Sequence, residues 1–303
     1  MTAIQLGGKV AVVTGSGRGV GREIARGLAR AGAAVVVNDV EETAAEEVVA
    51  SIRAEGGRAV SEVVAIGSSQ AAERCINTAR QEFGRLDIMC ANAGILRDKV
   101  LWNMSDEDFD AVIDTHLRGT FTCARAAVRV FREQNEGGRL ILVSSVAGQR
   151  GNFGQTNYAA AKAGIAAFAR TWALECARMQ VTVNAVLPMA FTQMVTSIPA
   201  MAPYAEMIAE GKPLPSKLRA GIGLGLPEDV APLFVFLASD AAQKITGQCI
   251  GLGGDKLSLW SHPQEIRSAY REGGWTAETI AEAWENSVGQ QLETFGIPMS
   301  DGE

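Results

Sequence analysis

Between Lys9 and Gly254, short apolar runs alternate with longer helix-forming segments, and no other feature limits the possible folds as strongly. The runs near Lys9–Val13, Ala34–Asp39, Ala59–Val64, Asp87–Ala91, Arg139–Ser144, Val181–Leu187 and Gln248–Gly251 read as strands. Between them, the stretches near Val20–Ala31, Glu42–Glu55, Gln70–Phe83, Ser105–Gln134, Asn157–Cys176 and Pro227–Ala238 read as helices. Strands joined by helices predict an α/β fold, a doubly wound parallel sheet of about seven strands covered on both faces. No composition break or low-complexity linker interrupts residues 1–254, so they are expected to form a single domain.

Two segments depart from this rhythm. Residues 189–226, with Met189, Met194, Met201, Met207 and several prolines, are too long for an ordinary connection. They are expected to form a lid over a binding site. Residues 255–303 read as a helical C-terminal extension, whose Thr276–Phe295 portion places Ile280, Trp284, Val288 and Leu292 on one stripe. Such a stripe docks on its own domain or on a neighbouring subunit; shaping a substrate mouth is the sharper alternative.

Composition removes several classes of function. The net charge of −6 gives no electrostatic case for nucleic acid or anionic membrane. No apolar run is long enough to span a bilayer, and the N-terminus lacks the phases of a secretory signal. The five cysteines are odd in number, scattered and free of C-x-x-C spacing, as expected of reduced core thiols in a cytoplasmic protein. With only two histidines, His116 and His262, no metal site is expected.

The loop after the first strand reads Thr14-Gly15-x-x-x-Gly19-x-Gly21, with Arg18 and Val20 in the variable positions. Glycines there let a pyrophosphate approach the helix N-terminus, where free N–H groups and the dipole favour anions. Asp39 closes the second strand, where an acidic residue can accept hydrogen bonds from both ribose hydroxyls of NAD. Against the phosphate of NADP it would oppose binding by about 4 kcal/mol per charge pair at an effective dielectric of about 20. Arg18 could bind that phosphate or pair with Asp39; NAD is the expected cofactor.

Further along, Tyr158 and Lys162 lie four apart in a helix-forming stretch, so they share a face. Moving a phenol from a pKa of about 10 to about 7, where a general base works well, needs roughly 4 kcal/mol of preference for the phenolate. A desolvated lysine beside a positively charged nicotinamide could supply it.

Taken together, Thr14-Gly15-x-x-x-Gly19-x-Gly21, Asn92-Ala93-Gly94, Ser145 and Tyr158-x-x-x-Lys162 make the chain resemble the short-chain dehydrogenases/reductases from about Lys9 to Gly254. The resemblance implies a Rossmann-type sheet, a homotetramer or homodimer, and hydride transfer between a nicotinamide cofactor and an alcohol or ketone. It further implies that Tyr158 is the acid/base, Ser145 holds the substrate oxygen, and Lys162 binds the nicotinamide ribose and lowers the Tyr158 pKa. Asn92, Ala93 and Gly94 would line the cofactor, and Thr192 would bond its carboxamide.

Three positions depart from the family pattern. His116 stands where many members carry a relay asparagine, and its ring nitrogens can both donate and accept; a buried structural histidine is the alternative. Gly67 replaces an acidic residue near adenine, and Met189 replaces the glycine of a Pro-Gly pair.

A narrower resemblance, carried by Val37-Asn38-Asp39, Asn92–Asp98, Ser105–Asp108, His116-Leu117-Arg118-Gly119 and Gly151–Gln155, is to the (3R)-hydroxyacyl-CoA dehydrogenase region of peroxisomal multifunctional enzymes of type 2. It implies a stand-alone dehydrogenase of (3R)-hydroxyacyl-CoA or a related lipid or sterol alcohol, with Arg97, Lys99, Lys212, Lys217 and Arg219 as candidates for binding the CoA phosphates. A ketone reductase acting on 3-oxoacyl carriers, or on a terpenoid, polyketide or steroid ketone, is the alternative. A dinucleotide-binding regulatory protein is the non-enzymatic one.

Overall fold

A computed structural model of the chain describes residues 4–192, 201–290 and 292–297. The first half contains β1 (Val10–Val13), α1 (Gly19–Arg30), β2 (Ala34–Asp39), α2 (Glu42–Ala54), β3 (Arg58–Val63), α3 (Ser69–Phe83) and β4 (Ile88–Ala91). Next come α4 (Asp106–Val112), α5 (Gly119–Gln134), β5 (Gly138–Val143), α6 (Val146–Arg150), α7 (Thr156–Glu175) and β6 (Val181–Pro188). The chain continues with α8 (Ala202–Ala209), α9 (Pro227–Ala238), β7 (Cys249–Gly253), β8 (Lys256–Trp260) and α10 (Ala277–Trp284). The strands form one sheet in the order β3-β2-β1-β4-β5-β6-β7-β8.

Period-two alternation within each strand divides the core between the two faces. In β1, Ala11 and Val13 face a cluster built with Ile24 and Leu28 of α1, Val48 and Ile52 of α2, and Phe234 and Leu237 of α9. Val10 and Val12 face the opposite cluster, with Cys75 and Ile76 of α3, Phe131 of α5 and Ile165 of α7. Because both faces are covered, β1, β2 and β4 are buried at every residue and read as apolar runs, broken only by Asn38 and Asp39 at the end of β2. Burying one such valine, leucine or isoleucine side chain contributes roughly 1.5–3 kcal/mol. All five cysteines are buried in this core.

The structure departs from the sequence expectations in three places. Seven strands are parallel as expected, but an eighth, β8, pairs antiparallel with β7 from within the segment expected to be helical. The stretch Ser105–Gln134 is not one regular helix, because a π-helical turn, Ile113–Arg118, separates α4 from α5. The tail helix α10 ends at Trp284 instead of running on to Phe295. Asn286, Ser287 and Gly289 follow it, all poor helix formers, and Leu292 is exposed.

The expected lid is a loop closed at its base. The amide of Phe191 donates to the Gly225 carbonyl (2.7 Å), and that of Gly225 to the Met189 carbonyl (3.0 Å). Phe191, Leu214, Leu218 and Leu224 give it a small core of its own, against which Met201, Tyr204 and Ile208 pack. Its residues 193–200, Met194 among them, lie outside the described residues.

Candidate active site

Strand order reverses between β1 and β4, and ligands in open α/β sheets bind beyond the carboxyl ends of the strands at such a point. The expected site residues follow β1, β2, β4, β5 and β6 or lie on the π turn and α7.

The glycine loop is tied to the β4 end by buried Thr14. Its Oγ1 accepts from the amides of Asn92 and Ala93, both at 3.0 Å. In return, the Asn92 Nδ2 donates to the carbonyls of Thr14 and Gly15 at 2.9 Å. Close packing explains Gly21, since a Cβ there would lie 2.2 Å from the Gly15 oxygen and 2.5 Å from Asn92 Nδ2. Gly19 has φ +54, and a Cβ on it would lie 3.9 Å from Thr192 Cγ2, so Thr192 faces the glycine loop from the β6 side. The start of α1 has no side-chain cap and no acidic residue in its first turn. Its N–H groups, those of Gly19, Val20 and Gly21 included, keep the electropositive helix end that suits a pyrophosphate.

Asp39 is 7% exposed and reaches back to this loop. Its Oδ2 accepts from the Gly17 amide (2.8 Å), and its Oδ1 from the amides of Val40 (2.8 Å) and Glu41 (3.2 Å). A carboxylate has about four acceptor positions, so a further donor such as a ribose hydroxyl finds its opening at Oδ2. Arg18 is exposed, and among the described residues no ion pair joins it to Asp39. Uncapped amides at one end and a carboxylate at the other fit a dinucleotide.

Ser145 follows β5 and caps α6, its Oγ accepting from the Ala147 amide (3.2 Å). It also hydrogen-bonds the Tyr158 hydroxyl; this bond lowers the phenol's pKa, but burial raises it by more, and the net shift is upward. Lys162 is 3% exposed. Its ammonium donates to the Val143 carbonyl (2.6 Å) and lies 5.5 Å from the centre of the Tyr158 ring. Desolvation brings its pKa down to about 7. The lowering of the Tyr158 pKa expected from Lys162 is not found, since burial moves the phenol upward against Ser145 alone, while Lys162 itself becomes a group that can lose its charge near neutrality.

The π turn carries His116 into this cluster, and such turns often mark functional positions. The imidazole is 2% exposed and stands edge-on to Tyr158, ring centroids 5.2 Å apart. Its Nε2 lies 3.0 Å from the Ile95 nitrogen and 2.8 Å from the Ile95 oxygen. Nδ1 is buried with no partner among the described residues. Desolvation, aided by the nearby Lys162 charge, lowers the pKa of His116 to about 3, so the ring is neutral at ordinary pH. Gly94 makes room for it: a Cβ at Gly94 would fall 2.2 Å from His116 Cε1.

Three residues not singled out from sequence as site residues also position the site. Thr14 locks the loops, as above. Asn157, fully buried, donates from Nδ2 to the carbonyls of Arg97 (3.1 Å) and Asp108 (3.0 Å), fixing the start of the Tyr158 helix. The Ser144 hydroxyl donates to the Lys162 carbonyl (2.7 Å). A buried polar residue at a strand or helix end is the feature that all three share.

Of the basic candidates for binding phosphates, Arg219 is held by Asp229 and Asp255, and Lys212 pairs with Glu210. Arg97 and Lys99 are exposed, and the Lys99 amide donates to the Gly154 carbonyl (2.8 Å) at the mouth of the site.

The sequence model of the short chain dehydrogenase family matches residues 9–202. A 3-oxoacyl-[acyl-carrier-protein] reductase of Synechocystis is 42% identical over 84% of this chain and 98% of its own length. The peroxisomal multifunctional enzyme type 2 of Mus musculus is 35% identical over 93% of this chain, which spans 37% of that longer protein. A hydroxyacyl-CoA dehydrogenase of Mycobacterium tuberculosis is 41% identical over 88% of this chain and 84% of its own. Among solved structures, a short chain dehydrogenase from Mycobacterium avium superposes with a TM-score of 0.83 at 34% identity, covering 97% of this chain and 100% of the other. The site, the sheet and these matches agree: the chain belongs to the short-chain dehydrogenase/reductase family, oxidoreductases that act on CH–OH groups with a nicotinamide dinucleotide.

Proposed function

We propose that this enzyme oxidises a secondary alcohol with NAD as its preferred cofactor, the substrate being a (3R)-hydroxyacyl-CoA or a related lipid or sterol alcohol. The reaction rests on one observation: Tyr158 lies between a hydrogen-bonding Ser145 and the desolvated Lys162. A carbinol gives up hydride only as its O–H proton is removed, and a positioned base for that proton contributes typically 10²–10⁴-fold. Tyr158 takes the proton and Ser145 donates a hydrogen bond to the substrate oxygen. A cationic Lys162, 5.5 Å from the centre of the Tyr158 ring, would favour the phenolate against the burial that raises the phenol's pKa. Neutral His116 offers Nδ1 as a further donor or acceptor for passing the proton onward. A nicotinamide held beside Tyr158 and Lys162 would supply the acceptor for the hydride.

In this reading Gly15, Gly19, Val20 and Gly21 hold the pyrophosphate and Asp39 the adenosine ribose, with Arg18 beside the cofactor in the same loop. Asn92, Ala93 and Gly94 line the cofactor, Tyr158 and Lys162 hold the nicotinamide ribose, and Thr192 bonds the carboxamide. Residues 1–254 act as the catalytic domain and 255–303 as an extension, in a cytoplasmic dimer or tetramer. The exposed apolar face of α5 and α7, with Phe121 and Leu174, is where a second copy would sit. Among the described residues, no helix is long and apolar enough to cross a membrane.

The substrate class is supported by the mycobacterial relative, a hydroxyacyl-CoA dehydrogenase, and by exposed Arg97 and Lys99 beside the site. Reduction of a 3-oxoacyl carrier is the second reading, favoured by the Synechocystis reductase, which this chain matches over nearly its whole length. The test is NADH formation from NAD, with NADP in parallel, on (3R)- and (3S)-hydroxyacyl-CoA, a 17β-hydroxysteroid and simple alcohols. Turnover confined to the 3R thioester, and lost in Tyr158→Phe with NAD binding retained, supports the proposal. Turnover of the steroid alone excludes the thioester and leaves the sterol alcohol, turnover of simple alcohols alone refutes the substrate class, and wild-type-like turnover by Tyr158→Phe refutes the base.

A further inference from the structure

After α10 the chain returns to the flank of the reactive centre. The Gly296 amide donates to the Arg150 carbonyl (2.7 Å), and the Arg150 Nε donates to the Gly296 carbonyl (3.2 Å). Arg150 Nη2 also donates to Thr294 Oγ1 (2.9 Å). This three-bond clamp joins residues 146 apart in sequence. It sits on the connection between Ser145 and Tyr158, since Arg150 ends the short helix capped by Ser145, and the loop after it leads to Tyr158. Five helical residues rise only about 7.5 Å.

The same loop is braced on its other side. Gln155 Nε2 donates to Asp98 Oδ2 (2.8 Å), beside the Lys99–Gly154 backbone bond. Three chain segments therefore meet at the mouth, and each carries large apolar side chains in the open: Phe153 (83% exposed), Trp102 (78%) and Phe295 (92%). Phe295 lies within the clamp itself, between Thr294 and Gly296. Phe153 and Phe295 thus stand in water on segments joined to the loop before Tyr158, and Trp102 lies three residues beyond the Lys99–Gly154 bond, so large apolar side chains are exposed on each segment that flanks the reactive centre.

We propose that residues 292–297, fastened by Arg150, form a wall of the substrate entrance, and that Phe295 grips the apolar part of the substrate and sets the preference for its length. The wall serves the lipid-alcohol reading above and rests on it. Arg150 and Phe295 are specificity-determining residues; they do not touch the reacting atoms.

The test measures KM and kcat for full-length wild type, Phe295→Ala and Arg150→Ala on two homologous series of increasing chain length, (3R)-hydroxyacyl-CoA thioesters and free 2-alkanols. Thermal unfolding of each variant accompanies the kinetics. Burying one methylene is worth about fourfold in binding. The wild-type KM should fall by up to about that factor per added methylene once the chain reaches the wall. In both variants this dependence should flatten, with kcat and the KM of the shortest members within about twofold of wild type. An unchanged length dependence overturns the wall, as does a wild type without any length dependence, or a loss of kcat at all lengths alike. If the alkanols show the effect and the thioesters are not turned over, the wall stands and the thioester reading falls. If the thioesters are turned over with the same slope in all three proteins, the thioester reading stands and the wall falls.

Discussion

The imidazole of His116 occupies the space that a side chain at position 94 would need: a Cβ on Gly94 would fall 2.2 Å from His116 Cε1. The ring also meets Tyr158 edge-on, with the planes at 90°. Gly94, read from sequence only as a cofactor-lining residue, therefore also makes room for a buried ring beside the proposed base.

Gly94→Ala should destabilise the protein by about 1–3 kcal/mol, the usual range for overpacking a filled site. Most of this loss should vanish when His116→Ala is made in the same chain, because the two substitutions compete for one space. A double-mutant cycle by urea unfolding reads the coupling directly. Additive losses would show that the imidazole is not what Gly94 accommodates.

His116 stays neutral throughout the working range, since its pKa is lowered to about 3. The pH profile of kcat between about pH 5 and pH 9 should therefore keep its shape in His116→Asn, whose amide can still donate and accept. His116→Leu removes both functions and should lower kcat about tenfold or more. A profile limb that disappears in His116→Asn would mean the histidine titrates during turnover.

Lys162 offers a test of stability against pH. Its folded pKa, about 7, lies below the ordinary 10.5, so between those values the unfolded chain binds a proton that the folded chain does not. Wild-type stability should consequently rise with pH over that window and be most penalised below it. The full penalty is on the order of 5 kcal/mol at about 1.4 kcal/mol per unit. The Tm of Lys162→Met relative to wild type should thus be most favourable near about pH 6 and decline towards about pH 10. A difference that does not vary with pH would show that Lys162 is not desolvated as a cation.

Asp39→Asn preserves the oxygen that accepts from Val40 and Glu41 while removing the charge. The ratio of kcat/KM for NAD over NADP should fall about tenfold or more, corresponding to about 1.4 kcal/mol of the repulsion between Asp39 and the extra phosphate. An unchanged ratio would locate the discrimination elsewhere.

Most of the sheet was legible because parallel strands covered on both faces are apolar runs, as in β1 and β4. Strand β8 was not, because Leu257 and Leu259 on this edge strand point to solvent and its pairing depends on β7. The glycine loop and Asp39 were legible from spacing, since a turn, a helix start and a strand end follow one another locally. The exchange of hydrogen bonds by which Thr14 and Asn92 join β1 to β4 was less so, being 78 residues apart. Neither the π turn that aims His116 nor the Arg150 clamp has a local pattern. The first is an extra residue within a helical run, the second a meeting of distant segments. The end of α10 does have a local signal, in Asn286, Ser287 and Gly289.

The burial of all five cysteines also has a practical side. Desolvation raises the pKa of every thiol, that of Cys123 to about 12, so at neutral pH none is a thiolate to any useful extent. Alkylating and oxidising reagents therefore meet a chemically silent background. A single cysteine introduced at an exposed position would carry a fluorophore or spin label alone, without first stripping the native thiols from the chain.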